Sequence, residues 1–185
     1  MSRPLKTLLR EYGIGISVAI GAALLIRAFL FEIYRMPSSA MLPTLEPGDT
    51  LVVVKRFGAL ARGQVIVYQR EGSGRGVSEH IRRIVGLPGE RVSVKGGQVW
   101  VDFKPQDPRP ASTGTSTLPD IPEQILPPDH YFVLADHREG TRGGRRVTDL
   151  WSVVDRSQVV GVAQYLWISG EYGQIRFDRI LRRIK

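Results

Sequence analysis

The sequence predicts a mainly β body carried behind one N-terminal transmembrane helix, and three observations predict it. An uncharged apolar run, Ile14 to Ile26, stands near the N-terminus, and no comparable helical period follows it. Beyond it, apolar residues fall in short β-branched runs such as Leu51-Val52-Val53-Val54 and Val65-Ile66-Val67-Tyr68. Twenty Gly and twelve Pro, grouped in small clusters between those runs, supply the turns that a sheet protein needs.

Composition narrows the class. A chain of 185 residues suits one domain with an anchor. Apolar residues at 42% can build a packed core, and charged residues at 24% exclude wholesale disorder. The absence of cysteine rules out disulfides, thiolate catalysis and Cys-based zinc sites. The net charge is +8, but the basic residues are scattered, with small clusters at Arg82-Arg83, Arg145-Arg146 and Arg182-Arg183. No helix-turn-helix or RNA-binding signature accompanies them, so an anionic lipid surface is the expected partner and nucleic acid is not. The three His and the scattered carboxylates show no metal-ligand spacing; no metal and no cofactor are expected.

The anchor comes first. Past Arg27 the apolar run resumes as Ala28-Phe29-Leu30-Phe31, which brings the span to the lower end of the about 17–25 residues that cross a bilayer. Arg27 sits near one end, where its stem can carry the guanidinium to the headgroups. Arg3, Lys6 and Arg10 precede the segment, which puts the N-terminus in the cytoplasm. A cleavable signal peptide is disfavoured, because no small-x-small exit separates the run from Arg27 and Glu32. The expected organisation is a cytoplasmic 1–12, a single-pass anchor 13–32 in the plasma (inner) membrane, and an extracytoplasmic domain 33–185.

The body follows as turns and strands. Pro37, Pro43 and Pro47-Gly48-Asp49 mark turns, and 51–54 and 65–68 read as buried strands joined through Gly58 and Arg62-Gly63. Residues 71–76 read as a flexible loop, and His80 to Val85 as a third strand, stopped by Gly86-Leu87-Pro88-Gly89. Arg91–Lys95 and Gln98–Val101 flank Gly96-Gly97, the two-residue turn of a tight hairpin. Residues 104–128 are rich in Pro, Ser, Thr and Asp without periodicity, so an exposed, flexible insertion is expected. Tyr131–Leu134 resumes the sheet, and a polar loop from Asp136 to Arg146 follows it. Val153-Val154, Gln158–Ala163, the apolar Gln164–Ile168 and Ile175–Ile180 complete the chain.

Four blocks carry a family resemblance. Met36-Pro37-Ser38-Ser39-Ala40-Met41-Leu42-Pro43-Thr44-Leu45 closely resembles the Pro-Ser-x-Ser-Met-x-Pro-Thr-Leu signature of bacterial type I signal peptidases. Pro47-Gly48-Asp49, leading to Lys55-Arg56-Phe57, resembles the strand after it. Residues 83–90 resemble that family's Arg-x-Val-Gly-Leu-Pro-Gly-Asp block, and 130–138 its His-Tyr-Phe-Val-Leu-Gly-Asp-Asn-Arg block. The resemblance spans nearly the whole chain in order. It implies two packed antiparallel β-sheets, a substrate groove beside Pro37–Leu45 for extended small-residue segments, and removal of signal peptides by a Ser/Lys pair.

Read on that pattern, the nucleophile position is Ala40 and the general-base position is Arg82. A methyl group cannot attack a carbonyl, and arginine, with a pKa above about 12, cannot take a proton. Ser38 matches the oxyanion-hole serine; its alternative reading is a turn cap after Pro37. Met41, Pro43 and Ile84 are the expected substrate contacts. The family's supporting Asp-Ser-Arg trio aligns with Val147-Thr148-Asp149, a following glycine with Ser152, and a Gly and an Asn with Ala135 and His137.

The only nearby substitutes are Ser39 and His80. Ser39 neighbours Ala40 in what reads as an extended segment and should face away. His80 shares a strand face with Arg82 but stands about 7 Å along from it, beyond the about 3 Å reach of proton transfer.

The favoured expectation is therefore a silent member of the family that binds signal peptides, preproteins, an active paralogue or secretion and pilus machinery. The alternatives are an active peptidase with relocated groups and an enzyme disabled deliberately at Ala40. A self-cleaving DNA-binding repressor would need a DNA-binding domain where this chain has its anchor.

Overall fold

The computed structural model describes residues 5–55, 57–72, 76–106, 118–138, 150–171 and 174–184. Of the segments singled out in the sequence, Val147-Thr148-Asp149, Arg145-Arg146 and the middle of the 104–128 insertion lie outside them.

One helix, α1 (Leu5–Leu30), opens the chain. It starts earlier and stops sooner than the span expected over 13–32. Phe31 and Glu32 belong instead to strand β1 (Phe31–Arg35), whose backbone pairs in register with β2 (Thr50–Val54), from Phe31↔Val54 to Arg35↔Thr50. That ladder satisfies polar backbone groups outside the helix. Ile16, Val18, Ile20, Leu24, Leu25 and Phe29 of α1 are each more than half exposed. Among the described residues, no helix is long and apolar enough to cross a membrane.

The body is mainly β and antiparallel. β3 (Val65–Gly72), β4 (Gly76–Gly86), β9 (His130–Leu134), β10 (Trp151–Asp155), β11 (Val159–Ile168) and the short β14 (Arg182–Arg183) join β1 and β2 in one large sheet. Its order is β1-β2-β11-β3-β4-β9-β10, with β14 added to β11. A smaller sheet has the order β7-β6-β5-β8, from β5 (Arg91–Lys95), β6 (Gln98–Val101), β7 (Lys104–Gln106) and β8 (Ile121–Ile125). β12 (Gly170–Glu171) and β13 (Gln174–Ile175) form a separate ribbon.

Two apolar clusters hold these layers. The first joins the sheets: Val92, Val94, Val99 and Val101 of the small sheet meet Leu51, Val53, Val65, Val67, Ile81 and Val85 of the large one, with Met36, Ala40, Met41 and Leu45. The second lies on the opposite face of the large sheet and contains Ile66, Tyr68, Ile84, Tyr131 and Val133. Val65–Tyr68 of β3 and Tyr131–Leu134 of β9 are thus buried on both faces, which is why they read as unbroken apolar runs. Each fully buried Val, Leu or Ile contributes about 1.5–3 kcal/mol.

The tight hairpin is present: Gly96 and Gly97 take φ of +56° and +77° between β5 and β6. Three expectations need correction. Glu71, Gly72 and Gly76 are not loop, because the β3–β4 ladder continues to Gly72↔Gly76. The 104–128 segment is not wholly an exposed insertion: β7 pairs with β6, β8 pairs with β5, and Leu118, Ile121 and Leu126 are buried in the first cluster. Pro105 and Pro122 fit there because β7 and β8 are edge strands. Finally, Gln158–Ala163 and Gln164–Ile168 are not separate segments but parts of β11 and of the 3-10 turn before it.

Candidate active-site groove

The loop from β1 to β2 carries the site. Met36 N donates to Asp49 O (2.7 Å) and Gly48 N to Met36 O (2.9 Å), so the loop closes on itself. Inside it, Ser39–Met41 forms one 3-10 turn capped by Ser38, whose Oγ accepts from Ala40 N at 3.4 Å. The segment is therefore not extended at Ser39, and strict alternation does not decide where that side chain points.

Buried charges pin the loop from two sides. On one side Arg83, in β4, grips Asp136 through Nε–Oδ1 (2.8 Å) and Nη2–Oδ2 (2.6 Å), while Thr44 Oγ1 donates to Asp136 Oδ2 (2.5 Å). Arg83 also donates to Gly63 O (2.7 Å). His137 N donates to Ala40 O (3.0 Å), so the turn after β9 holds the Ala40 backbone directly. On the other side, the buried Asp49 accepts from Glu46 N (2.8 Å), Ser169 Oγ (2.7 Å) and Arg179 Nη2 (3.1 Å). Burial pushes the Asp49 carboxyl up from its ordinary value, against the lowering pull of Ser169 and Arg176. Arg176 and Arg179 both pair with Glu46 of the same loop.

The wall facing this loop is the edge of β4. Ile84 N donates to Gln64 O (2.8 Å), and the β3–β4 register runs unbroken from Val65↔Arg83 to Gly72↔Gly76. The backbone groups of Arg82 and His80 therefore turn toward β3, and those of Arg83, Ile81 and Glu79 turn the other way. On that outer side β9 pairs only from Arg83 onward. Among the described residues no strand covers the edge at Glu79 and Ile81. The space between this edge and residues 34–38 is a cavity of about 290 Å³, lined also by Ala40.

Ser38, Ala40, His80 and Arg82 all line this cavity, so the structure brings together those four residues singled out from the sequence. Ala40 is 2% exposed and presents a methyl group. Arg82, 5% exposed, folds back so that Nη1 donates to Ile81 O (2.7 Å) on the open edge. His80 Nε2 lies 3.0 Å from Ser78 Oγ, and its ring stacks on Tyr68 at 5.5 Å. Ser39, Met41, Pro43 and Ile84 are not among the lining residues; Met41 and Ile84 are fully buried in the first and second clusters respectively.

Sequence reasoning missed Tyr34, Arg35 and Glu79, which also line the cavity. Tyr34 OH donates to Glu79 Oε1 (3.2 Å), and Gln69 Nε2 donates to the same oxygen (3.3 Å). Burial, with the nearby Glu32 and Glu79 carboxylates, raises the Tyr34 phenol above its ordinary value. A usable signal existed for one missed feature: Arg83 interrupts an apolar strand, and a buried cation requires a partner.

At Ala40 the groove presents a methyl group and at Arg82 a guanidinium, and neither can serve as a nucleophile or a neutral base. As a holder of extended chain it has a β4 edge that no described strand covers at Glu79 and Ile81, with flanking side chains. A family model described as signal peptidase, peptidase S26, matches residues 9–168. Among curated proteins, a signal peptidase I of Bacillus licheniformis is 30% identical over 88% of this chain and 90% of its own length. One from Leptolyngbya laminosa is 32% identical over 86% of this chain and 78% of its own. A solved signal peptidase I from Enterococcus faecalis V583 overlaps with a TM-score of 0.40 at 21% identity, covering 58% of this chain and 98% of that one. On the sequence matches, the chain belongs to the type I signal peptidase family.

Proposed function

We propose that this protein is a catalytically silent signal peptidase relative, held at the plasma (inner) membrane, that binds signal peptides or preproteins in the groove without cutting them. One observation carries the reading: the groove keeps its open strand edge and its Ser38 hydroxyl while the two positions that would do the chemistry hold Ala40 and Arg82. Extended peptides add to such an edge through main-chain hydrogen bonds, and flanking pockets select side chains. The exposed apolar residues of α1 support an anchor over 13–32, and the basic residues ahead of it support a cytoplasmic N-terminus with the body, 33–185, outside. Phe31 and Ile33, 41% and 51% exposed where β1 leaves the helix, are placed to meet lipid. An active paralogue, or secretion or pilus machinery, would be the partner that receives a peptide held this way.

The test is preprotein cleavage by the full chain in detergent. The native protein is expected to release no mature product, and the double variant Ala40→Ser with Arg82→Lys is expected to regain cleavage. Release by the native protein would overturn the reading. A second reading, hydrolysis by relocated groups, draws on Ser38 and His80 lining the same cavity. It predicts native cleavage that disappears in Ser38→Ala, Ser39→Ala or His80→Ala. The His80 ring is already engaged by Ser78 and Tyr68, which favours the silent reading.

A further inference from the structure

We infer that the outer face of the small sheet carries a separate ligand site, one that takes a sugar ring bearing a carboxylate. The site is a cavity of about 240 Å³ lined by Arg91, Ser93 and Lys95 of β5, Trp100 of β6, Phe103 of the next turn and Glu123 of β8. It shares no lining residue with the groove beside Ala40 and does not depend on how that groove is read. Its volume falls a little below the about 300–1,000 Å³ of ordinary ligand clefts, a space for a small group and not for a folded partner.

The strand pattern puts these groups on one face. Val92 and Val94 belong to the first cluster, so Arg91, Ser93 and Lys95 alternate to the far side, and Trp100 stands opposite Ser93 across the ladder. Ser93 is 6% exposed, lines the cavity, and has no side-chain hydrogen bond among the described residues. The Trp100 indole N–H is buried and also lacks an acceptor among them. Buried polar groups without partners are uncommon and point to something that completes them. Lys95 forms no ion pair among the described residues, so its ammonium is uncommitted. Phe103 adds a signal of another kind. Asp102 and Phe103 turn the chain from β6 to β7 at φ of +48° and +62°, a conformation that suits glycine. Yet the Phe103 ring is 70% exposed, with the Arg91 guanidinium 5.7 Å from its centre. A bulky ring held in strained backbone and left out of the core is presented to something else.

The donors and acceptors select the ligand. Ser93, Lys95 and the indole offer hydrogens that nothing on this face receives, which calls for an anionic, acceptor-rich group. Glu123 accepts from Arg91 through Oε1 (3.0 Å), and its carboxylate can also accept from hydroxyl groups while it repels a bare anion. An extended peptide is disfavoured, because β5 is paired with β6 on one side and β8 on the other and its main chain offers no free edge. A sugar acid meets each demand. Its C–H face suits the Phe103 and Trp100 rings, its carboxylate suits Lys95 and Ser93, and its hydroxyls suit Glu123.

The test titrates the full chain, in a neutral detergent without a sugar headgroup, and reads binding by ligand-observed NMR. The probes are galacturonate and its trimer, with galactose, acetate and a short aspartate-rich peptide as controls. Galacturonate or its trimer is expected to bind at least about tenfold more tightly than any control, the worth of one charge-assisted contact. Preference for the trimer identifies a polysaccharide as the source, and preference for the monomer a free sugar acid. Lys95→Gln should remove the advantage over galactose. Ser93→Ala, which breaks no bond within the fold, should weaken binding with Tm unchanged. Phe103→Gly should lose binding without melting earlier, because glycine relieves the turn. Equal binding of galactose or acetate, tighter binding of the peptide, or no binding of either sugar acid overturns the inference. Unchanged affinity in all three variants overturns it too, by putting the ligand elsewhere. The ratio of sugar acid to galactose on native protein decides the question even where a variant does not fold, and no outcome bears on the groove beside Ala40.

Discussion

Asp136 is the buried carboxylate that Arg83 and Thr44 share beside the Ala40 turn. It receives two bonds from Arg83 and one from Thr44, and it and Arg83 are 1% and 3% exposed. Asp136→Asn would remove the carboxylate that the buried Arg83 guanidinium grips, and breaking such a buried pair costs about 3–5 kcal/mol. Chemical denaturation of the variant should show that loss, and the loop that carries Ala40 should become protease-sensitive below the global transition. At this scale the sequence was informative about identity and uninformative about direction. Ala40 and Arg82 stand out because a motif fixes which residue types belong there. That the Arg82 guanidinium turns back onto its neighbour's carbonyl depends on which way the backbone of Ile81 points, and that is set by the register of its pairing with Val67 of β3.

At the scale of elements, β11 shows how closely the strands approach. It lies between β2 and β3 with register shifts against both, and a Cβ on Gly161 would come within 2.6 Å of Val53 Cγ1 and of Val54 O. Gly161→Ala is expected to destabilise the fold by about 1–3 kcal/mol, since a backbone oxygen cannot rotate out of the way. Thermal unfolding of the variant against native protein measures it. The strands that could be read were those with apolar residues on both faces, β3 and β9, and the hairpin with a glycine pair at its turn. β7 and β8 were hidden by Pro105 and Pro122, which interrupt any alternation yet sit harmlessly on sheet edges. The end of α1 was hidden as well, because Phe31 and Ile33 are as apolar as the helix before them.

For the whole molecule, local pattern could indicate a mainly β body but not its order. β11 separates β2 from β3, and β9 reaches β4 across the entire small sheet in sequence. Such long-range pairings leave no mark on the residues between them. The same topology gives the C-terminal segment a duty. Arg176 and Arg179, well over a hundred residues downstream, clasp Glu46 and Asp49 of the loop that forms one bank of the groove. The tail is in effect a latch. Deleting residues 176–185 should loosen that bank, seen as faster proteolytic nicking near Leu45 and weaker peptide retention. A partner that prised the tail away would then open the groove from a distance, without ever entering it.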